Sequence, residues 1–422
     1  MRSLALPAIG LVLIAGIFTV STSDDVRAQT VPPNVVVIMT DDQNVDSLPV
    51  MRKLNSYPGG KWTKFANAYV NDSICCPARA TFLSGQYSHH TGVTDNDRGN
   101  VFDDTNTLAT WLHDAGYRTA LFGRYLNGYP WARGRGYVPP GWDLWKTSAG
   151  NVEGKITNAI NFMTAAGDQP FFAYIAHNDP HNKAKPLPKY ATTDVYNPGD
   201  PPNYNEADVS DKPRWIRNIS PLSQGTQDLW HAERIASQRA LLGVDDGIER
   251  VVQALETMGE LENTMIMFLA DHGFSWGSHR WIKKHCFYEE CSRTPLYIRY
   301  PGADGNREEA RLVSNVDLAS TIAEYAGVTP GRPQDGRSLV PLLENTATDW
   351  TEEVLLQVVA ATNRGFYGVA VPGWKYAEYS NGDKELYDLT SDPYELQNLA
   401  NNPAHAAKQE ELAQTLAELK GS

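Results

Sequence analysis

Apolar and polar positions fall into two alternating patterns along most of the chain. Short, mostly apolar runs at Val35 to Met39, Arg118 to Phe122, Phe171 to Ala176 and Thr264 to Ala270 are rich in β-branched and aromatic residues. Runs of this kind predict strands covered on both faces. Between them, apolar residues recur at helical spacing in Thr107 to Ala115, stopped by Gly116, and from Glu233 to about Met258, where Leu241, Leu242, Val244, Ile248, Val251, Val252 and Leu255 are expected on the buried side. The alternation predicts an α/β fold around a mostly parallel sheet. Polar residues resume directly after each strand: Asp41-Asp42, Arg124, His177 to His181, and Asp271-His272. Open α/β sheets carry their sites at the carboxyl ends of strands, so these separate segments are expected to meet at one edge.

From about Trp350 the pattern changes. Val354 to Val359, Tyr367 to Val371, Trp374 to Tyr379 and Glu385 to Leu389 predict short strands, with Asn381-Gly382 as a hairpin turn, and a last helix runs from about Pro403 to Leu419. At the other end, Arg2, the apolar run Leu4 to Val20 and a polar stretch ending Val26-Arg27-Ala28 predict an export signal with a mature start near Gln29. An uncleaved anchor is the alternative, because Pro7 and several glycines leave that run marginal for crossing a bilayer. The expected organisation is a signal peptide over 1–28, a large catalytic domain over 29–345, and an antiparallel sheet with terminal helix over 346–422. The expected location is secreted, extracellular or periplasmic, without stable membrane association.

The length of 422 residues exceeds one typical core, which agrees with a large domain plus a small one. A net charge of −13 argues against unspecific nucleic-acid binding and against docking on anionic membranes. It leaves room for a local basic pocket. Between Lys183 and about Pro221 the chain is irregular, with Tyr204 and Trp215 as candidate substrate-facing aromatics. The four cysteines of an exported chain suggest disulfides.

Two of those cysteines stand in Ser73-Ile74-Cys75-Cys76-Pro77-Ala78-Arg79-Ala80-Thr81-Phe82-Leu83-Ser84-Gly85. Pro77 suits the first helical position and Gly85 a left-handed cap, which places the cysteines at a helix N-terminus. The dipole there, with Arg79 one turn along, predicts an acidified, reactive thiol. A disulfide, a structural thiol or half of a zinc site are the other readings of a Cys-Cys pair.

The stretch Cys75-x-Pro77-Ala78-Arg79, continued by Ala80 to Gly85, resembles the signature of the type I sulfatases, and the resemblance extends from about Pro33 to Leu399. It implies an alkaline-phosphatase-like sandwich with a central mostly parallel sheet and a small antiparallel C-terminal domain. It also implies that a maturation enzyme converts Cys75 to formylglycine, whose hydrated aldehyde attacks sulfur. By the same resemblance Asp41, Asp42, Asp271, His272 and modified Cys75 hold one divalent cation. Calcium is the implied ion, with manganese and magnesium left open, and the imidazole of His272 favours the transition metal among them.

Gly123-Arg124-Tyr125-Leu126-Asn127 resembles the N-acetylglucosamine-6-sulfatase branch, where a lysine stands at position 124. Arginine keeps the charge but cannot give up a proton. His181, at the end of His177-x-x-Pro180-His181, resembles the family histidine that contacts the ester, and Lys284 before Tyr288-Glu289 resembles its sulfate-binding lysine. Arg79, Arg124 and Lys284 would offset charge on the transferring group, leaving His181 or Lys284 to assist the departing oxygen. His89, His90, His113 and His177 are expected to be structural. With Cys75 modified, Cys286 and Cys291 remain as a local bridge and Cys76 as a buried free thiol. The implied function is hydrolysis of aryl or carbohydrate sulfate esters, glycosaminoglycans included. A phosphonate or phosphodiester hydrolase and a non-catalytic glycan-binding relative are the alternatives.

Overall fold

Every residue of Asn34–Thr40 (β1) is buried, as a strand apolar on both faces requires. The computed structural model describes residues 1, 32–129, 133–134, 136–148, 150–359 and 364–421, so the export segment from Arg2 to Ala28 lies outside the described residues. After β1 come Trp62–Tyr69 (β2), Arg118–Gly123 (β3), Leu144–Lys146 (β4), Phe171–Ala176 (β5), Thr264–Ala270 (β6), the short pair Ser275–Trp276 (β7) and Ile282–Lys283 (β8), Leu296–Arg299 (β9) and Arg307–Ser314 (β10). All but β7 and β8 form one 8-stranded sheet in the order β10-β2-β9-β6-β1-β5-β3-β4. The strands β6, β1, β5 and β3 are consecutive and parallel, and β9 runs antiparallel between β6 and β2. This is the predicted mostly parallel arrangement, with one reversed strand that the sequence pattern did not mark.

Alternate side chains of β1 enter different cores. Val35, Val37 and Met39 pack with Phe82, Leu112 and Ile322 on one face, while Val36 and Ile38 pack with Ile156, Ile248 and Val251 on the other. The long helix on the second face spans Gln224–Met258, beginning earlier than its apolar stripe suggests. Its first turns carry no buried side chain, and Ser223 caps them by accepting from the Thr226 N–H. Helix Cys75–Ser84 is buried throughout and ends at Gly85, whose φ of 69° is the expected left-handed cap. It starts at Cys75 itself, so Pro77 is its third residue rather than its first; the missing N–H still falls within the first turn, where no intrahelical partner is needed.

Val354–Val358 (β11), Phe366–Val371 (β12), Trp374–Tyr379 (β13) and Lys384–Asp388 (β14) form the predicted antiparallel sheet, followed by helix Ala406–Gly421. One buried cation ties this sheet to the segment beyond β8. Lys375 on β13 is 0% exposed, and its Nζ donates to Glu395 at 2.9 Å and to the Phe287 carbonyl at 2.7 Å, with Glu289 Oε1 at 3.1 Å. Glu385 on β14 accepts from the Tyr288 hydroxyl at 2.8 Å, and a Cys286–Cys291 disulfide closes the same segment. Removing Lys375 would leave the buried Glu395 without its cation and Glu289 with Arg293 alone. Lys375→Met is expected to cost about 3–5 kcal/mol of stability in urea unfolding, and a loss under about 1 kcal/mol would show that Glu289 and Glu395 find other partners.

Candidate active site

The carboxyl ends of β1 and β6 are neighbours in the sheet, and each ends in a buried pair of polar residues: Asp41-Asp42 and Asp271-His272. Asp42 has a φ of 64°, uncommon outside glycine and characteristic of residues held for a function. The helix of Cys75 lays Arg79 between the two strand ends. Its Nη2 lies 3.0 Å from Asp41 Oδ2 and its Nε 2.9 Å from Asp271 Oδ2, while Nη1 donates to the Arg124 carbonyl at 3.0 Å. Arg124, after β3, pairs with the same Asp41 oxygen and donates to Asn127 Oδ1 at 2.7 Å. From beyond β8, Lys284 brings its Nζ to 2.8 Å from Asp42 Oδ1 and 3.1 Å from Cys75 Sγ. His181, after β5, places Nε2 3.4 Å from Asp42 Oδ2 at the more open side of the cluster.

His272 shows what the arrangement can hold. Its Nδ1 faces the Gly273 carbonyl at 2.8 Å, and a carbonyl only accepts, so the proton sits on Nδ1 and Nε2 presents a lone pair. That lone pair faces Cys75 Sγ at 3.3 Å and Asp42 Oδ1 at 3.4 Å. One ligand atom each from Asp41, Cys75, Asp271 and His272 lies within 4.8 Å of the others, and Asp41, Asp42 and His181 form an overlapping group. Asp42 Oδ2 is buried with no hydrogen-bond partner among the described residues, an orphan that a cation would satisfy. A donor set of carboxylates and one neutral imidazole fits a divalent metal.

Burial disfavours the charge on Asp41, but Arg124 and then Arg79 outweigh it and hold the carboxyl well below the usual range. Lys284 behaves in the opposite sense: burial opposes its charge, while Asp42, Cys75 and Asp41 overcome that and keep it protonated well above an ordinary lysine. The acidified thiol expected at the helix N-terminus is not found. The Cys75 thiol is pushed up to about 12, first by burial and then by Asp41 and Asp271. Burial and the two carboxylates beside the sulfur outweigh the opposing pull of Lys284 and Arg124.

The remaining histidines separate from the site or lie beneath it. His89 bonds Gln357 and His90 bonds Asp335, both from the short helix Ser88–Thr91. His113 lies near Asp143 on the surface. His177 is fully buried, and that burial drives it down to about 3, so it is neutral. Trp215 packs edge-on to Trp281 in a core cluster, and Tyr204 stacks on His231 and lines a cavity to which Asp42 also belongs. Cys76 is free and buried, and its sulfur accepts from the Asn127 N–H at 2.8 Å. Two site neighbours escaped the sequence reading. Asn96 accepts from the Cys76 N–H at 3.0 Å with its amide 3.8 Å from Cys75 Sγ, and Lys155 donates to Asn178 Oδ1 at 3.0 Å. Neither belongs to a motif or follows a strand, so no local signal marks them.

Comparison with known proteins agrees with this geometry. Residues 33–328 match the family described as Sulfatase, and residues 277–422 match N-sulphoglucosamine sulphohydrolase, C-terminal. The chain is 28% identical to an N-acetylglucosamine-6-O-sulfatase of Bacteroides thetaiotaomicron, over 98% of this chain and 90% of that protein. It is 30% identical to the human N-acetylglucosamine-6-sulfatase, over 83% of this chain and 71% of that one. A Drosophila melanogaster extracellular sulfatase SULF-1 homolog is 31% identical over 77% of this chain, which spans only 33% of that longer protein. Among solved structures, a protein in complex with its substrate D-glucosamine-2-N,6-O-disulfate superposes with a TM-score of 0.77 and 26% identity, covering 92% of this chain and 98% of that one. A phosphonate monoester hydrolase of Agrobacterium radiobacter superposes at 0.74 with 21% identity, covering 92% of this chain and 95% of the other, and shares the alkaline-phosphatase-like fold.

The raised thiol yields a test on unmodified protein. Iodoacetamide at pH 8 is expected to label neither Cys75 nor Cys76 in the folded, metal-free chain and to label both in urea. Rapid labelling of Cys75 in the native state would show that the helix dipole prevails after all.

Proposed function

The chain belongs to the sulfatase family of sulfuric ester hydrolases, and on that premise we propose that it cleaves sulfated carbohydrates through Cys75, converted to formylglycine, with a divalent cation beside it. The observation that carries this reading is the convergence of His272 Nε2 and Lys284 Nζ on Cys75 Sγ, at 3.3 and 3.1 Å. The sulfur marks where the formylglycine oxygens would stand.

Asp41, Asp42, Asp271 and His272 would hold the cation, which when bound supplies Lewis-acid polarisation of sulfate oxygens. Calcium suits the carboxylates, and His272 keeps manganese or magnesium open. Charge balance supports an anionic substrate. Asp41, Asp42 and Asp271 are matched by Arg79, Arg124 and Lys284, so an added divalent cation leaves the buried cluster net positive. Arg124 and Lys284 line the approach and would hold sulfate oxygens. Arg79 is fully buried between two carboxylates, so its role is to position Asp41 and Asp271. Lys284 can donate a hydrogen bond to the nucleophile but holds its proton too firmly to be a ready acid. Arg124 has the same limitation. His181, its side chain 34% exposed beside Asp42, is the group placed to protonate the leaving oxygen.

The substrate class rests on the N-acetylglucosamine-6-sulfatases among the relatives and on the Gly123 to Asn127 motif. Export rests on the segment ending at Ala28, and maturation by a formylglycine-generating enzyme on the Cys75 to Arg79 signature. Among the described residues no helix is long and apolar enough to cross a membrane. The Asp271-His272 pair supports one second reading, hydrolysis of phosphonate or phosphate diesters. Relative kcat/KM on an aryl sulfate and an aryl phosphate diester separates the two.

Active preparations are expected to contain formylglycine in the Cys75 peptide by mass spectrometry. Cys75→Ala and Asp42→Ala should fold and retain under about a thousandth of wild-type kcat, and chelation should remove activity until metal is restored. A fully reduced, unmodified Cys75 peptide from active enzyme would refute the nucleophile.

His181→Ala should harm sugar sulfates, whose alcohols need a proton to leave, roughly tenfold or more beyond its effect on activated aryl sulfates. Equal losses would make His181 a sulfate ligand. Arg124→Lys should keep most of kcat and raise KM if the guanidinium serves to grip sulfate, whereas a fall in kcat would place its contacts in the transition state.

A further inference from the structure

A groove of about 470 Å³ opens beside the site, and Arg124 and His181 belong to its lining. Lys155, Lys183 and Lys185 also line it, against a single carboxylate, Asp179. On a chain with a net charge of −13, this is a concentrated positive field.

Lys155 is the informative residue. It lies in the first turn of helix Val152–Ala166, whose other buried positions, Val152, Ile156, Ala159, Phe162, Met163 and Ala166, are all apolar. Packing would be served there by another apolar residue. Instead Lys155 is 3% exposed, and its ammonium has one hydrogen-bond partner, Asn178 Oδ1 at 3.0 Å. Among the described residues, no carboxylate pairs with Lys155, Lys183 or Lys185. Its stem runs close past the end of β3: a Cβ on Gly123 would stand 3.0 Å from Lys155 Cε, and Gly123 has none. The chain thus buries a cation that makes no contact ion pair among the described residues, with Asp179 and then Asp41 supplying its counter-charge through the field. An ammonium without a contact carboxylate leaves a place that a ligand anion could take.

We propose that this groove is a second anion subsite, holding a sulfate or carboxylate group of the substrate while the scissile sulfate lies against Arg124 and Lys284. The proposal rests on the sulfatase reading above and deepens it: the preferred substrate is a doubly anionic sugar. Lys155 supplies the buried charge at the groove wall, and Lys183 and Lys185, both exposed, supply the outer field. Arg124, shared by both places, keeps the two anions adjacent.

The test compares kcat/KM on an aryl sulfate, glucosamine 6-sulfate, glucosamine-2-N,6-O-disulfate, and a 6-sulfated glucosamine joined to a uronic acid. Wild-type enzyme is expected to favour at least one doubly anionic sugar over the monosulfate by about tenfold or more, and the pair of sugars tells whether sulfate or carboxylate is read. Lys155→Met should remove most of that preference through KM, with a loss on doubly anionic sugars about tenfold larger than its loss on the aryl sulfate. The double replacement Lys183→Ser and Lys185→Ser, on exposed positions that folding does not need, should lower it further and flatten its dependence on salt. No preference in the wild type, or equal losses on mono- and doubly anionic esters in the variants, would overturn the subsite. Loss of aryl sulfate turnover in formylglycine-bearing wild type would instead overturn the sulfatase reading. In that event calorimetric binding of the disulfate to Cys75→Ala protein, with and without Lys155→Met, decides the subsite by itself: about tenfold weaker binding supports it, and unchanged binding refutes it.

Discussion

Arg79 bridging Asp41 and Asp271 is the interaction on which the rest of the site depends. Its guanidinium is buried and could not be left there without anions, and the carboxylates could not be left without a cation. Their mutual pairing lets three strongly solvated groups stand at the middle of a protein interior. Because a guanidinium is rigid and forked, the pairing also sets the distance between the ends of β1 and β6. Cys75, one helical turn from Arg79, is placed by the same contact. The proposed metal site, nucleophile and anion pocket would thereby share one framework.

That framework stands on strands buried on both faces, so the residues at their ends inherit the rigidity of the sheet. Lys284 is the exception. It comes from beyond the short β8, in a stretch where Lys283 and His285 have φ values of 121° and 63°. Such a backbone persists only when its surroundings determine it. The small antiparallel sheet provides those surroundings through Lys375, Glu289, Glu395 and Glu385, together with the Cys286–Cys291 disulfide. The C-terminal sheet therefore bears on the proposed sulfate pocket through the segment that carries Lys284.

The reversal of the expected thiol acidity has a similar origin. A helix N-terminus favours an anion in isolation, yet at Cys75 it competes with two carboxylates a few ångströms away and with burial. A thiol kept protonated is inert towards nonspecific alkylation. Such inertness suits a residue whose proposed role begins only after it has been converted to something else.

Strand periodicity, the helix cap at Gly85 and the polar residues directly following each apolar run were legible in the chain by itself, because these depend on local sterics and on which faces are covered. So were the family signature around Cys75 and the motif residues Asp41, Asp42, Arg124, His181, Asp271, His272 and Lys284. The reversed strand β9, the extra turns before Glu233, the protonated Cys75 and the contributions of Asn96 and Lys155 were not. Each of these is decided by a neighbour distant in sequence: Lys155 reads as one polar residue on an amphipathic helix until β3 and Asn178 are laid beside it. Local pattern determines which residues can turn inward or stand at a strand end, whereas charge, protonation and the shape of a groove are set by what tertiary packing brings within a few ångströms, where Coulomb and desolvation energies act.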